Sequence, residues 1–126
     1  MSDGITFDTS DLGRLAADLG HAGASAIKAV RPVIEKGALN VKDEWRDNAR
    51  ATAGAHAKRY PDSIGFDIRG LSAEVGPDKD KPQGALGNLL EYGSAKNPPH
   101  WDGQRAADAE APRFEKAILD AVDGLL

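Results

Sequence analysis

The chain has 126 residues, a formal net charge of −4 and a pI near 5.3, with 40% hydrophobic and 29% charged residues and no cysteine. That length and composition predict one soluble domain covering 1–126. They exclude a disulfide framework and a thiolate metal site, and the acidic balance argues against a dedicated nucleic-acid binder, which usually carries a basic stripe.

Large apolar residues are scarce: 2 Trp, 2 Tyr, 3 Phe and 1 Met. Much of the apolar count is alanine, and alanine contributes far less on burial than Leu or Phe, each worth roughly 1.5–3 kcal/mol. A modestly stable monomer is therefore expected, with some order arising on assembly. The absence of cysteine fits synthesis in a reducing cytoplasm. No apolar run approaches the length of about 18 residues that a bilayer span takes. Met1 to Thr6 lacks a basic-then-apolar signal pattern, so no signal peptide and no membrane partner are expected.

Ile5-Thr6-Phe7-Asp8 alternates apolar and polar, which predicts a short strand. Thr9 or Ser10 is placed to cap a following helix, with Asp11 in its first turn. Leu12, Leu15, Ala16, Leu19, Ala22, Ala26, Ile27 and Val30 recur at helical spacing, and Gly20 and Gly23 predict a break. The periodicity resumes through Ile34, Ala38, Val41, Trp45, Ala49 and Thr52. Pro32 interrupts it, because a proline inside a helix removes a backbone hydrogen bond and crowds the preceding turn. The apolar face stays in phase across Pro32. This predicts a long helix over roughly 22–53, kinked at Pro32; the alternative is two helices with Pro32 opening the second. Trp45 falls on the apolar face and reads as a core anchor.

Ala53 to Ala55 ends this helix, and His56 to Pro61 forms a connector. Ile64, Phe66 and Ile68 alternate on one face of a predicted strand. Leu71, Ala73 and Val75 do so on a second, with Gly70 turning between them into a hairpin. The charged segment 77–84, with Pro77 and Pro82, reads as a mobile loop. Leu86 to Tyr92 fits a short helix or a strand; Leu86, Leu89 and Leu90 favour the helix, with Gly93 at its C-terminal cap. Asn97-Pro98-Pro99 is extended, since a residue preceding proline is pushed out of the helical region. Asp102 is placed to cap a helix over about 103–110. Pro112 then starts or kinks a final helix with Phe114, Ala117, Ile118, Ala121, Val122 and Leu125 inside. The predicted class is α+β: a small antiparallel sheet packed against a long kinked N-terminal helix, with a short C-terminal helix.

Catalytic grammar is missing. His21, His56 and His100 are far apart and fit no zinc spacing. No nucleophile elbow, phosphate loop or dinucleotide fingerprint occurs. Asp43-Glu44 and the pair Asp108 and Glu110 read as solvated helix faces. The expectation is no enzyme activity, no cofactor and no metal. The basic cluster Arg46, Arg50, Lys58 and Arg59 reads as a solvated face, and the alternative is a DNA contact.

The most distinctive stretch is Leu90-Glu91-Tyr92-Gly93-Ser94, followed by a polar spacer and Pro98-Pro99-His100-Trp101. With Ser63-Ile64 and Val75-Gly76, it resembles the tail-completion, or head–tail joining, family of long-tailed bacteriophages, which includes lambda-like minor tail protein Z relatives. One departure lies at Trp101-Asp102-Gly103, where relatives place a phenylalanine and an early proline; here the proline waits until Pro112. The resemblance implies a virion protein made in the host cytoplasm. It implies a homo-oligomeric ring, hexameric by the symmetry of a tail-tube neighbour, joining the head connector to the tail. Its partners would be its own copies, the head-connector protein and the tail-terminator or tail-tube protein, with DNA only as passing cargo. The candidate protein interface is Glu91, Tyr92, Gly93, Lys96, Pro98, Pro99, His100 and Trp101; Tyr92 and Trp101 are of the type enriched at interface anchors. The alternative function is a DNA-packaging accessory using the basic helix face.

Overall fold

The computed structural model describes residues 4–11, 13–14 and 20–124, apart from the side chains of residues 21 and 22. The elements are β1 (Ile5–Asp8), α1 (His21–Thr52), the short α2 (Tyr60–Ser63), β2 (Ile64–Arg69), β3 (Ser72–Pro77), α3 (Gly87–Tyr92) and α4 (Asp102–Asp123). Single 3-10 turns lie at Ala55–Ala57 and Gly84–Leu86. The fold is α+β, with a three-stranded antiparallel sheet in the order β1-β3-β2.

The sheet forms as its alternation dictates, but its centre is β3. That strand pairs with β2 through the hairpin and with β1 across most of the sequence, Ile5 opposite Val75 and Asp8 opposite Ser72. The Thr9 hydroxyl and N–H both donate to the Leu71 carbonyl, at 2.6 and 2.9 Å, fixing the end of β1 to the hairpin turn. The Asp8 carboxylate accepts from the Ser10 N–H and hydroxyl. These bonds hold its carboxyl below the usual carboxylate range. Residues 10–11 and 13–14 are helical; the expected apolar face at Leu12, Leu15, Ala16 and Leu19, and the exposure of His21, lie outside the described residues.

α1 presents Val30, Ile34, Ala38, Val41, Trp45 and Ala49 as one buried stripe, each 1% exposed or less, at the three- and four-residue spacing that puts side chains on one face. The stripe meets Ala73 and Val75 of β3, Ile64 of β2, Tyr60 and Ala106. The helix runs unbroken through Pro32, so the two-helix alternative is excluded. α4 is one helix of 22 residues with Pro112 inside it, so it is continuous beyond the expected 103–110 segment and does not start anew at the proline. Pro32 and Pro112 are both exposed. The carbonyl that each proline leaves without its usual donor belongs to an exposed residue, Lys28 or Asp108, where water can satisfy it.

α4 lies along α1. Close approach is possible because Gly103 faces Trp45; a Cβ on Gly103 would sit 2.7 Å from the indole. Glu110, 7% exposed, accepts from Asn40 of α1 and from both ends of the Arg113 guanidinium. Phe114 stacks on Phe7 with centroids 5.0 Å apart, tying α4 to β1. The 77–84 segment is more tethered than its charge implies. Pro77 belongs to β3 and is buried. Gln83 then binds the chain at two points, donating to the His56 carbonyl and accepting from the Arg59 N–H, both at 2.6 Å.

Candidate functional site, an aromatic loop clamped at its base

Three leucines open the site. Leu86 and Leu90 turn inward and pack on the core, whereas Leu89 is 46% exposed. A one-turn helix can bury only part of such a run, so the sequence carried a signal for an outward Leu89. α3 then stops at Gly93, where φ is 79°. Only glycine fits this site. A Cβ would lie 2.7 Å from the Pro99 nitrogen and 2.8 Å from the Asn97 carbonyl oxygen, as well as in an unfavourable backbone region.

The loop that follows is pinned across its base. The His100 N–H donates to the Leu90 carbonyl at 2.9 Å and the Trp101 N–H to the Glu91 carbonyl at 3.2 Å. At the tip, Ser94 and Asn97 exchange backbone bonds at 2.8 and 3.3 Å, and the Lys96 N–H donates to the Ser94 hydroxyl at 3.3 Å. Lys96, Pro98 and Pro99 are exposed. The two prolines add stiffness to a path already closed at both ends.

Glu91 is 5% exposed and belongs to the frame of the site rather than its surface. Its two carboxylate oxygens accept the N–H groups of Gly103 and Gln104, each at 2.9 Å. Those are the second and third residues of α4, the donors that a helix leaves unpaired at its start. The carboxylate also opposes the positive end of the helix dipole. The residue in the N-cap position is Trp101, which makes no side-chain cap bond. Asp102, expected to cap, is instead the first helical residue and turns inward at 1% exposure. Its carboxylate accepts from the Thr52 hydroxyl at 3.0 and 2.8 Å and from Arg105 at 2.9 Å, and its carbonyl accepts from Asn48 at 2.9 Å. Thr52, Asn48 and Arg105 are therefore structural partners of the loop that the sequence did not expose. The Thr52 and Asn48 contacts span fifty residues or so, beyond any local pattern, whereas Arg105 lies one helical turn after Asp102.

His100 sits behind the loop with its Nδ1 buried and without a hydrogen-bond partner; the closest acid is the Asp102 carboxylate at 3.7 Å. No hydroxyl donates to it among the hydrogen bonds of the described residues. Nor is there among them a group of three or more His, Cys, Asp or Glu residues placed to hold a metal ion. Among the described residues, Trp45 Nε1 and the Tyr60 hydroxyl are the other buried side-chain polar atoms without a bond. They influence one another without reaching hydrogen-bond geometry. Burial drives the Tyr60 phenol well above its usual range; the Trp45 indole opposes that shift, and the Glu91 and Asp102 carboxylates add to it.

What the frame presents to solvent is aromatic. Tyr92 is 54% exposed and Trp101 43% exposed. Their rings meet edge to face, centroids 5.6 Å apart at 78°, a geometry worth about 0.5–1.5 kcal/mol beyond area. Trp101 occupies the left-handed region with φ 55°, an uncommon conformation for a bulky residue. Leu89 lies one helical turn before Tyr92 and extends the apolar surface. Of the candidate residues, the structure brings Tyr92, Trp101, Lys96, Pro98 and Pro99 to the surface and places Glu91, Gly93 and His100 beneath them.

Three of the four residues of the basic cluster, Arg50, Lys58 and Arg59, are exposed. Arg46 turns in to donate to the Ile64 carbonyl at 2.8 Å, a departure from the solvated position expected of it. Arg50 pairs with Asp47 at 3.0 Å and lies 3.8 Å from Asp62. Lys58 and Arg59 are exposed beyond the end of α1. Comparison of the chain with protein-family models, with curated proteins and with solved structures returns no match.

Proposed function

We propose that the chain is a structural protein of the phage neck, forming a ring that joins the DNA-filled head connector to the tail tube. The carrying observation is the Tyr92–Trp101 pair, exposed on a loop clamped at its base. A surface group that is already ordered loses little entropy on docking, and aromatic anchors of this kind dominate interface energies. The resemblance at 90–101 supplies the identity of the partners: copies of the chain in a ring, hexameric by its neighbour's symmetry, with the head-connector and tail proteins on either side. Net acidity suits a channel through which DNA slides without sticking. The work is mechanical; no catalytic group, cofactor or metal is assigned, and the protein would be made in the host cytoplasm and reside in the virion. The DNA-packaging reading draws no support from the Arg46 and Arg50 contacts, which satisfy those cations within the chain.

Trp101→Ala tests the reading. Truncating a central anchor costs about 2 kcal/mol or more of binding, and alanine keeps the same backbone demand. The variant should retain the parent circular dichroism, with a thermal midpoint lowered by no more than several degrees for loss of the Tyr92 contact, yet filled heads and free tails should accumulate separately. Normal phage yield from it removes the loop from the joint.

A further inference from the structure

Among the described residues, the strand order leaves β2 at the edge of the sheet, with β3 on one side and no strand on the other. Edge strands template pairing with another chain unless something blunts them, such as a proline, a lysine or a bulge. β2 has no proline, lysine or bulge, and the Arg46 side chain occupies only the Ile64 carbonyl at its start. Its sequence is Ile64-Gly65-Phe66-Asp67-Ile68-Arg69, and its register against β3 runs without an interruption from Ile64 opposite Pro77 to Arg69 opposite Ser72. Burial fades along the strand, and Ile68 is 36% exposed. Beside it runs a groove of about 540 Å³ lined by Pro32, Glu35, Lys36, Leu39, Phe66 and Ile68.

The charges identify the occupant. Asp67 and Arg69 flank Ile68 on the opposite face of the strand, both exposed and without an ion-pair partner among the described residues. An acid and a base two residues apart make the strand its own antiparallel complement. Turned about a two-fold axis at Ile68, residue 67 of each copy falls opposite residue 69 of the other.

We propose that two copies of this chain pair through β2 in that antiparallel register. Each Asp67 then meets the other copy's Arg69, and the two Ile68 side chains meet at the mouth of the groove. The contact is isologous, the commonest arrangement for a dimer, and joins two three-stranded sheets into one of six strands. It uses a surface separate from the Tyr92–Trp101 loop.

Sedimentation equilibrium of the full chain from micromolar to millimolar concentration tests it. The parent should dimerise, and hydrogen exchange at the Phe66 and Ile68 amides, which face away from β3, should slow as dimer accumulates. Arg69→Asp sets two acids against each other at both contacts and should weaken the dimer about tenfold or more. Asp67→Arg combined with Arg69→Asp reverses both charges and should restore it. Trp101→Ala should leave it at parental strength, so failure of the head–tail reading does not touch this one. A parent that stays monomeric overturns the proposal, as does an Arg69→Asp variant that dimerises like the parent or a double variant that fails to recover.

Discussion

Glu91 acts at the scale of one carboxylate. Both of its oxygens accept from the start of α4, so each can be removed in thought separately. Glu91→Gln keeps the size, but one acceptor becomes an amide N–H₂ facing a backbone N–H. The expected loss is about 1–3 kcal/mol, the usual cost of leaving a buried donor unsatisfied, with part of it from the lost opposition to the helix dipole. Urea denaturation reads the loss. A midpoint equal to the parent's removes Glu91 from the frame of the loop. Tyr60 offers a complementary case, because its buried hydroxyl has no bond to lose. Its folded pKa lies above its unfolded value of about 10. The stability it contributes is therefore whole below about pH 10 and declines as pH rises above that, where the unfolded chain gives up the proton and the folded chain does not. Tyr60→Phe should change stability near neutrality by no more than about 1 kcal/mol and flatten the alkaline decline. An unchanged alkaline decline in this variant shows that other groups cause it.

Between elements, the decisive contact is α1 against α4 at Trp45, Ala49, Gly103 and Ala106, all buried. Gly103→Ala drives a methyl into the indole and should destabilise the protein by about 1–3 kcal/mol, the range for overpacking a filled core. Trp45→Phe in the same chain removes the ring that the methyl meets, so the two losses should not add. Additivity in thermal denaturation of the single and double variants would mean that the helices part rather than collide. The sequence made α1 legible because a buried stripe at Val30, Ile34, Ala38, Val41, Trp45 and Ala49 is a local periodic pattern. It carried the long helix correctly through Pro32, but left open whether Pro112 starts or sits within the final helix, because a proline's effect depends on which side of the helix faces water, and that follows from packing. It misplaced the cap of α4 because the capping carboxylate arrives from α3, across a loop whose closure no local pattern records.

At the scale of the molecule, the hairpin β2–β3 was legible from alternation and Gly70, but the place of β1 was not. Pairing Ile5 with Val75 is a contact between distant parts of the chain, and period-two alternation says only that a strand will find an edge. The same limit holds for the loop: the aromatic and proline residues stand out in the sequence, whereas the polar frame of Glu91, Asp102, Thr52 and Asn48 emerges only once α1 and α4 lie side by side. Chain order also separates the two tryptophans. Trp45 lies at the centre of the core and Trp101 at the surface, 1% and 43% exposed. The protein thus contains two optical reporters of opposite kind. A water-soluble quencher reaches one and is excluded from the other, so intrinsic fluorescence separates loss of the core from occupation of the loop without any added label.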